Sequence, residues 1–172
     1  MNIAWNAIIK KENLDLGYEA GFLTQLEDSI DEIASKGIKV ITNAGALNTE
    51  ALTRKVEDLC KKRGHQKLIV ASVIGDDVSS LLLNSSAQTF KLSHLDHEED
   101  SLQDWTLASE VECAVAYLGA QGIITALNHG ADIVICGRVT DASPVIGAAA
   151  WWHGWKEDLF DELAGALVAG RE

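Results

Sequence analysis

Arg138 and Asp141 are the two residues of this sequence whose types and spacing best suit chemistry on a ligand. They follow the apolar run Ile133 to Cys136, and a parallel strand there would place them at its carboxyl end, where open α/β sheets bind ligands. An arginine can present a bidentate fork to a carboxylate or phosphate, and the aspartate can orient it or act as an acid or base. The alternative is a structural ion pair of Arg138 with Asp141 or Asp76. We predict that Arg138 binds substrate and that Asp141 is catalytic.

Asp76 and Asp77 follow another apolar run, Leu68 to Ile74. One of these carboxylates could serve Mg²⁺, which prefers oxygen ligands, or could take part in proton transfer. The alternative, which we favour over metal binding, is that one aspartate caps a helix beginning near Val78 while the other faces water. We therefore predict no metal site, and we assign Asp76 to substrate binding and Asp77 to catalysis.

A third polar cluster, Thr42 to Gly45, follows a β-branched run and precedes a helical pattern. Backbone N–H groups at such a turn can bind a phosphate or carboxylate, which would bring Asn43 and Gly45 against the substrate. The alternative is a plain turn in which Asn48 or Thr49 caps the following helix. The turn contains neither Gly-x-Gly-x-x-Gly nor Gly-Lys-Ser/Thr, so NAD and ATP are not predicted and the cofactor is left unassigned.

Three other polar side chains have chemistry that could serve catalysis or metal binding, namely His94, His97 and Ser143. His94 and His97 are three apart in an acidic stretch, a spacing that favours a solvated loop over a zinc site. Ser143 lacks the Gly-x-Ser-x-Gly context of a nucleophile elbow, so a hydrolase triad is not predicted.

The elements that must position these groups alternate between helix and strand. Helical periodicity covers 18–36, the segment from Leu52 to Cys60, 78–83, 107–118, 123–129 and the end from 148, with Gly37 as a helix stop and Pro144 as a helix start. Strands are predicted over 38–41, 67–74, 89–92 and 133–136, with 67–74 covered on both faces. The fold class is therefore α/β: a single Rossmann-like layered domain over 1–172, with a mostly parallel sheet, helices on both faces and an incomplete edge.

Composition excludes several kinds of partner. The chain has 172 residues, of which 47% are hydrophobic and 23% charged, as in an ordinary globular domain. A net charge of -12 argues against nucleic acid and against an anionic membrane surface. No apolar stretch approaches the roughly 20 residues of a membrane span, and no secretory signal begins the sequence, so a cytoplasmic location is predicted. Cys60, Cys113 and Cys136 are predicted to be small buried hydrophobes in a reducing compartment.

Trp151 to Trp155 forms the largest concentration of aromatic surface in the chain. These rings either close the local core or are exposed, in which case they favour a homo-oligomer or contact with a partner subunit.

Four blocks of the sequence, 41–48, 75–77, 116–120 and 130–143, carry a family resemblance in their order along the chain; the last reads Gly-Ala-Asp-Ile-Val-Ile-Cys-Gly-Arg-Val-Thr-Asp-Ala-Ser. They are similar to the AtuA family of acyclic terpene utilisation proteins, over nearly the whole chain but only part of that family's amino-terminal domain. Family members begin before the point matching Met1 and continue beyond Gly170 with a Gly-His and Gly-Gly stretch, where this chain has Arg171. The resemblance therefore implies a domain truncated at both ends.

The resemblance implies a place in the breakdown of citronellol- or geraniol-like terpenoids at the acyl-CoA stage, or a borrowed role in a secondary-metabolite pathway. It implies a small terpenoid or acyl-CoA-type ligand in the crevice, without specifying a reaction. A second hypothesis is a noncatalytic subunit or remnant whose Trp-rich end docks on a partner.

Overall fold

The computed structural model describes residues 2–83, 93–97 and 111–171. Within these ranges helices and strands alternate over most of the chain. Their bounds, in chain order, are α1 (Ile3–Glu12), α2 (Ala20–Lys36), β1 (Val40–Thr42), α3 (Thr49–Lys62), β2 (Val70–Val73), α4 (Ser79–Leu83), α5 (Gln121–Asn128), β3 (Ile133–Cys136), α6 (Ser143–His153) and α7 (Phe160–Ala169).

The three strands form a parallel sheet in the order β1-β3-β2. Ile133 of β3 pairs with Val40 on one side and with Val70 on the other, so the strands begin level and also end at one edge. All four residues of β3 are buried, as a central parallel strand requires. The predicted parallel α/β sheet is confirmed.

Helices cover both faces of β3, because its successive side chains point to opposite sides. One face packs on α2 and α3 and the other on α5, and both layers are almost fully buried. The first cluster includes Leu26, Ile30, Leu52, Val56, Ile133 and Ile135; the second includes Ile123, Leu127, Val134 and Cys136. The layered arrangement predicted from the sequence is therefore confirmed.

The helix ends follow the local signals in the sequence. Gly37 ends α2 in the left-handed region at φ 64, which glycine adopts without steric cost. Asn48 begins α3 by accepting a hydrogen bond from the Ala51 N–H at 3.4 Å. Pro144 lies in the first turn of α6, where its missing N–H costs no helical bond.

Two predictions need correction. The strand predicted over 67–74 is shorter and only partly covered, since β2 spans Val70–Val73 at an edge of the described sheet and exposes Ser72. Val70 packs on the α2 and α3 cluster and Ala71 on the α5 cluster, so helices do lie on both of its faces. The helix predicted over 107–118 is not found in its described part, where Val115 instead pairs antiparallel with Asp77. The Ala116 N–H donates to the Asp76 carbonyl at 2.8 Å, so a distant partner, rather than a helical turn, satisfies this backbone.

The strand predicted over 89–92 and most of the acidic stretch that follows lie outside the described residues. In the part of the chain that is described, no helix is both long and apolar enough to cross a membrane. Cys60 and Cys136 are buried and Cys113 is half-buried, and all three are free thiols.

Candidate functional site

Asp76 lies beneath the carboxyl edge of the sheet and joins β2 to β3. Its side chain is buried, and Oδ2 accepts a hydrogen bond from the backbone N–H of Arg138 at 2.6 Å. A Cβ on Gly137 would come within 2.2 Å of that same oxygen, so only glycine leaves room for the carboxylate. The Asp76 carboxylate, which the sequence analysis assigned to substrate binding, thus accepts a backbone hydrogen bond that joins two strand ends.

Gly45 makes the matching connection from β1. Its N–H donates to the Cys136 carbonyl at 3.0 Å, and a Cβ there would lie 2.5 Å from that oxygen and 2.6 Å from Thr49 Oγ1. The close approach of two backbones requires a residue without a side chain. The N–H of Gly45 therefore ties the loop after β1 to the end of β3.

The Arg138 guanidinium lies over the ring of Tyr117. Its Cζ is 4.7 Å from the ring centroid, and Nη2 donates to the Tyr117 hydroxyl at 2.7 Å. Nη1 lies 3.4 Å from Asp141 Oδ1, a long contact to a carboxylate that is 82% exposed, whereas the arginine side chain is only 14% exposed. Tyr117 therefore holds the guanidinium more firmly than Asp141 does.

Asn43, Arg138 and Asp141 line one polar cleft of about 690 Å³ at the carboxyl edge of the sheet. Asn2 and Ile3, at the start of α1, form the rest of the lining. The structure thus brings three of the six predicted site residues together around one open volume, with Asp76 and Gly45 bracing the backbone on either side of β3.

Asp77 lies in a different place. Its Oδ1 accepts a hydrogen bond from the Ser79 N–H at 3.0 Å, and Oδ2 is 3.7 Å from Lys10 Nζ. Burial alone would raise the pKa of Asp77, but the hydrogen bonds from Ser79 and the charge of Lys10 hold it below its usual value. It lines a smaller pocket of about 210 Å³ that also includes Cys113. Asp77 thus makes the helix-capping contact that was one of the two alternatives for this pair of aspartates. It does not line the cleft that contains Arg138.

The remaining polar side chains are engaged locally. Ser143 is buried, and its Oγ accepts the N–H of Thr140 at 3.1 Å in the turn before α6. His94 Nδ1 accepts the backbone N–H groups of Asp96 and His97 at 3.1 and 3.2 Å. Among residues 2–83, 93–97 and 111–171, no three His, Cys, Asp or Glu side chains gather as a metal-binding group.

The tryptophan segment divides between core and surface. Trp151 packs against the cluster on the α5 face of the sheet, and Trp155 is half-buried. Trp152 is 75% exposed. Both alternatives drawn from the sequence therefore describe part of this segment.

Sequence reasoning missed Tyr117 because the apolar spacing around it imitates a helix. Gly119 is the signal that could have revealed it, because a glycine often interrupts a helix, and this one is left-handed at φ 70. An aromatic residue two positions before such a glycine, in one of the four blocks, is then a candidate for the site.

Comparison with known proteins gives one match. The family model described as "Acyclic terpene utilisation family protein AtuA" matches residues 1–171, nearly the whole chain. No curated protein and no solved structure matches it.

Proposed function

Since the chain belongs to the AtuA family of acyclic terpene utilisation proteins, we propose that it binds the anionic group of an acyclic terpenoid acid or acyl-CoA in the Arg138 cleft. The ligand is of the citronellol or geraniol type, and the protein acts in its breakdown or in a related secondary-metabolite pathway. The three free thiols suit a reducing, cytoplasmic setting for this role.

The state of the Arg138 side chain is the observation that supports this proposal. A guanidinium carries five N–H donors, and within the described residues only the Tyr117 hydroxyl and one Asp141 oxygen accept from it. The side chain is mostly shielded from water, which strengthens its attraction for an anion. Because the Asp141 contact is long and exposed, a ligand carboxylate or phosphate can replace it.

The other cleft residues have complementary roles in this proposal. Asn43 offers an amide that can donate to a second oxygen of the bound group. Asp141, once displaced from the guanidinium, stands beside the ligand as an acid or base. Asp76 fixes the Arg138 backbone and Tyr117 holds its guanidinium, so less of the side chain has to be ordered when the ligand arrives.

Titration calorimetry with citronellate, citronellyl-CoA and coenzyme A tests the proposal. Arg138→Gln should weaken binding of the preferred ligand by at least about tenfold, because one charged hydrogen-bonding partner is lost. Arg54→Gln, which removes an exposed arginine of α3, is the matched control and should leave the affinity unchanged. Equal affinities for the Arg138 variant and the wild type would remove Arg138 from the site.

We propose that residues 1–172 fold as a single domain, because both core clusters share β3. Thermal unfolding followed by tryptophan fluorescence and by far-ultraviolet circular dichroism should then give one coincident transition. Two separate transitions would count against a single domain.

A noncatalytic docking role is the second candidate, favoured by the exposure of Trp152 at 75% and Phe160 at 73% on α6 and α7. Sedimentation analysis of the purified protein tests self-association through this surface. A dimer that Trp152→Ala converts to a monomer would support the docking role, whereas a wild-type monomer that binds citronellate would favour the ligand-binding role.

A further inference from the structure

An apolar trough of about 660 Å³ lies among α5, α6 and α7 and shares no lining residue with the Arg138 cleft. Its apolar lining comes from separate parts of the chain, namely Leu118, Ile124, Ile146, Ala150, Trp155 and Leu163. A concave, mostly apolar volume of this size is typical of small-molecule sites.

Close helix packing beside the trough fixes its shape. A Cβ on Gly147 of α6 would lie 2.6 Å from the Ile123 side chain, so α6 packs on that side chain of α5 at a position where only glycine fits without a shift. Gly119, in contrast, has no heavy atom within 4 Å of the position its Cβ would take, and its backbone is left-handed at φ 70. The chain therefore turns at Gly119 beside open space.

Polar groups at the edge of the trough set its charge preference. Gln121 donates to the Glu157 carboxylate, which connects the start of α5 to the segment between α6 and α7. Lys156 and Glu157 are the two charged residues of the lining, both are exposed, and their opposite charges offset each other. An apolar volume with no net charge at its edge suits an uncharged hydrocarbon chain.

Two consecutive residues connect the trough with the Arg138 cleft. Tyr117 lies against the guanidinium, while Leu118 lines the trough and its N–H donates to the Arg138 carbonyl at 3.3 Å. Tyr117 is 63% exposed, so part of its ring is an open apolar surface beside the guanidinium, in the residue that directly precedes Leu118.

We propose that the trough is the hydrocarbon subsite for the branched acyclic chain of the ligand whose anionic end binds Arg138. The inference rests on the function proposed above. It assigns the acid end to the polar cleft, the middle of the ligand to the Tyr117 ring and the branched tail to the apolar surface between the helices.

Paired substitutions on α7 test this assignment. Leu163 is half-buried and lines the trough, whereas Leu167, one turn later, is 42% exposed and does not line it. Leu163→Trp fills the subsite, and Leu167→Trp adds the same ring outside it. Leu163→Gln with Leu167→Gln is a second pair without overpacking, and circular dichroism and thermal unfolding confirm that each variant is folded.

The probes are citronellate and isovalerate, a short branched carboxylate with the same charged end. Each buried methylene contributes roughly a fourfold gain in affinity, so excluding two or three of them should weaken citronellate binding about 10- to 60-fold. Leu163→Trp and Leu163→Gln should show this loss for citronellate and leave isovalerate unchanged. The Leu167 variants should bind both probes as the wild type does.

The outcomes separate the two proposals. Arg138→Gln weakening both probes, with folded Leu163 variants that bind citronellate normally, would overturn the hydrocarbon subsite and leave the proposed function standing. Loss of citronellate in the Leu163 variants with normal binding by Arg138→Gln would overturn the proposed function, and with it the assignment of the acid end to the Arg138 cleft, while the trough would remain a hydrocarbon site. A wild-type protein that binds neither probe would overturn both.

Discussion

The Asp76 carboxylate holds the backbone N–H of Arg138 at 2.6 Å, in a space that only a glycine at position 137 leaves open. A residue whose type suggested ligand chemistry thus fixes the peptide that carries the guanidinium. On the other side of β3, the Gly45 N–H makes the equivalent bond to the Cys136 carbonyl. The cleft is consequently held in shape before any ligand enters.

Removing the Asp76 carboxylate should destabilise the protein. Asp76→Ala leaves the Arg138 N–H without its acceptor in a buried position, which costs about 1–3 kcal/mol of unfolding free energy. Urea denaturation measures the change. Asp141→Ala, at an 82% exposed side chain, is the control and should stay within about 0.5 kcal/mol of the wild type. Equal stabilities for the two variants would contradict the bracing role of Asp76.

Gly45→Ala should be more damaging than an alanine at an open glycine. The new Cβ would lie 2.5 Å from the Cys136 carbonyl oxygen, and the backbone shift it forces costs about 1–3 kcal/mol. Gly21 of α2 has nothing within 4 Å of its Cβ position, so Gly21→Ala should leave stability unchanged or slightly raised. Chemical denaturation of both variants measures the change in unfolding free energy. A Gly45→Ala variant as stable as the wild type would contradict the close approach of the Gly45 and Cys136 backbones.

Tyr117 should set the affinity of the cleft through Arg138. Tyr117→Phe keeps the ring under the guanidinium and loses the hydroxyl acceptor, which should weaken citronellate binding by about 0.5–1.5 kcal/mol. Tyr117→Leu also loses the ring and should cost about 0.5–1 kcal/mol more. Calorimetric affinities should therefore fall in the order wild type, phenylalanine, leucine; a phenylalanine variant as weak as the leucine variant would exclude a contribution from the ring.

Asp132, directly before β3 at the amino end of the sheet, should make the unfolding free energy of the protein depend on pH. Burial opposes its charge, but hydrogen bonds from Lys39 at 2.8 Å and the Ile69 N–H at 2.9 Å hold its pKa below the usual value. A lowered folded pKa stabilises the protein above the unfolded pKa of about 3.9, and this contribution is lost as pH falls through the folded pKa.

Asp132→Asn should therefore lower the unfolding free energy near neutral pH by about 1–2 kcal/mol, because a charged hydrogen-bonding partner is replaced by a neutral one. The difference from the wild type should shrink below about pH 4, when the wild-type carboxylate also takes up a proton. Urea denaturation across this pH range measures it. Asp58→Asn, at a 73% exposed aspartate with a 3.5 Å contact to Lys61, is the control; a similar pH dependence there would contradict the special role of Asp132.

Cys136 should be the least reactive thiol of the folded protein. Burial, with the nearby Asp76 charge, raises the pKa of Cys136 to about 12, so almost no thiolate forms near pH 8. Burial also raises the pKa of Cys113, but that side chain is only half-buried. Timed alkylation followed by peptide mass analysis should label Cys113 first, and early labelling of Cys136 would contradict this order.

The layered fold could be predicted from the sequence where one local pattern dominates. The run Ile133–Cys136 is apolar throughout and becomes the buried central strand, while Gly37 and Asn48 act where glycine and asparagine usually act at helix ends. The segment around Val115 could not be predicted in this way. Its apolar spacing fits a helix, but the Val78 N–H bonds the Ala114 carbonyl at 2.9 Å, and local periodicity does not reveal a distant backbone partner.

The site could be predicted in part. The clustering of Asn43, Arg138 and Asp141 follows from parallel strands ending at one edge. Alternation along an extended segment places Asp76 and Asp77 on opposite sides, but it does not reveal which of the two faces β3. The sequence identified two carboxylates without distinguishing the one under β3 from the one near Lys10.

The strand order also has a consequence for synthesis on the ribosome. In the described part of the chain, β1 and β2 both pair with β3, which ends at Cys136, and not with each other. The strands translated first therefore have no partner in this sheet until residues 133–136 have emerged. Their unpaired backbone edges must wait for a pairing across a long stretch of sequence, which is slow and leaves the nascent chain open to aggregation and to chaperone capture.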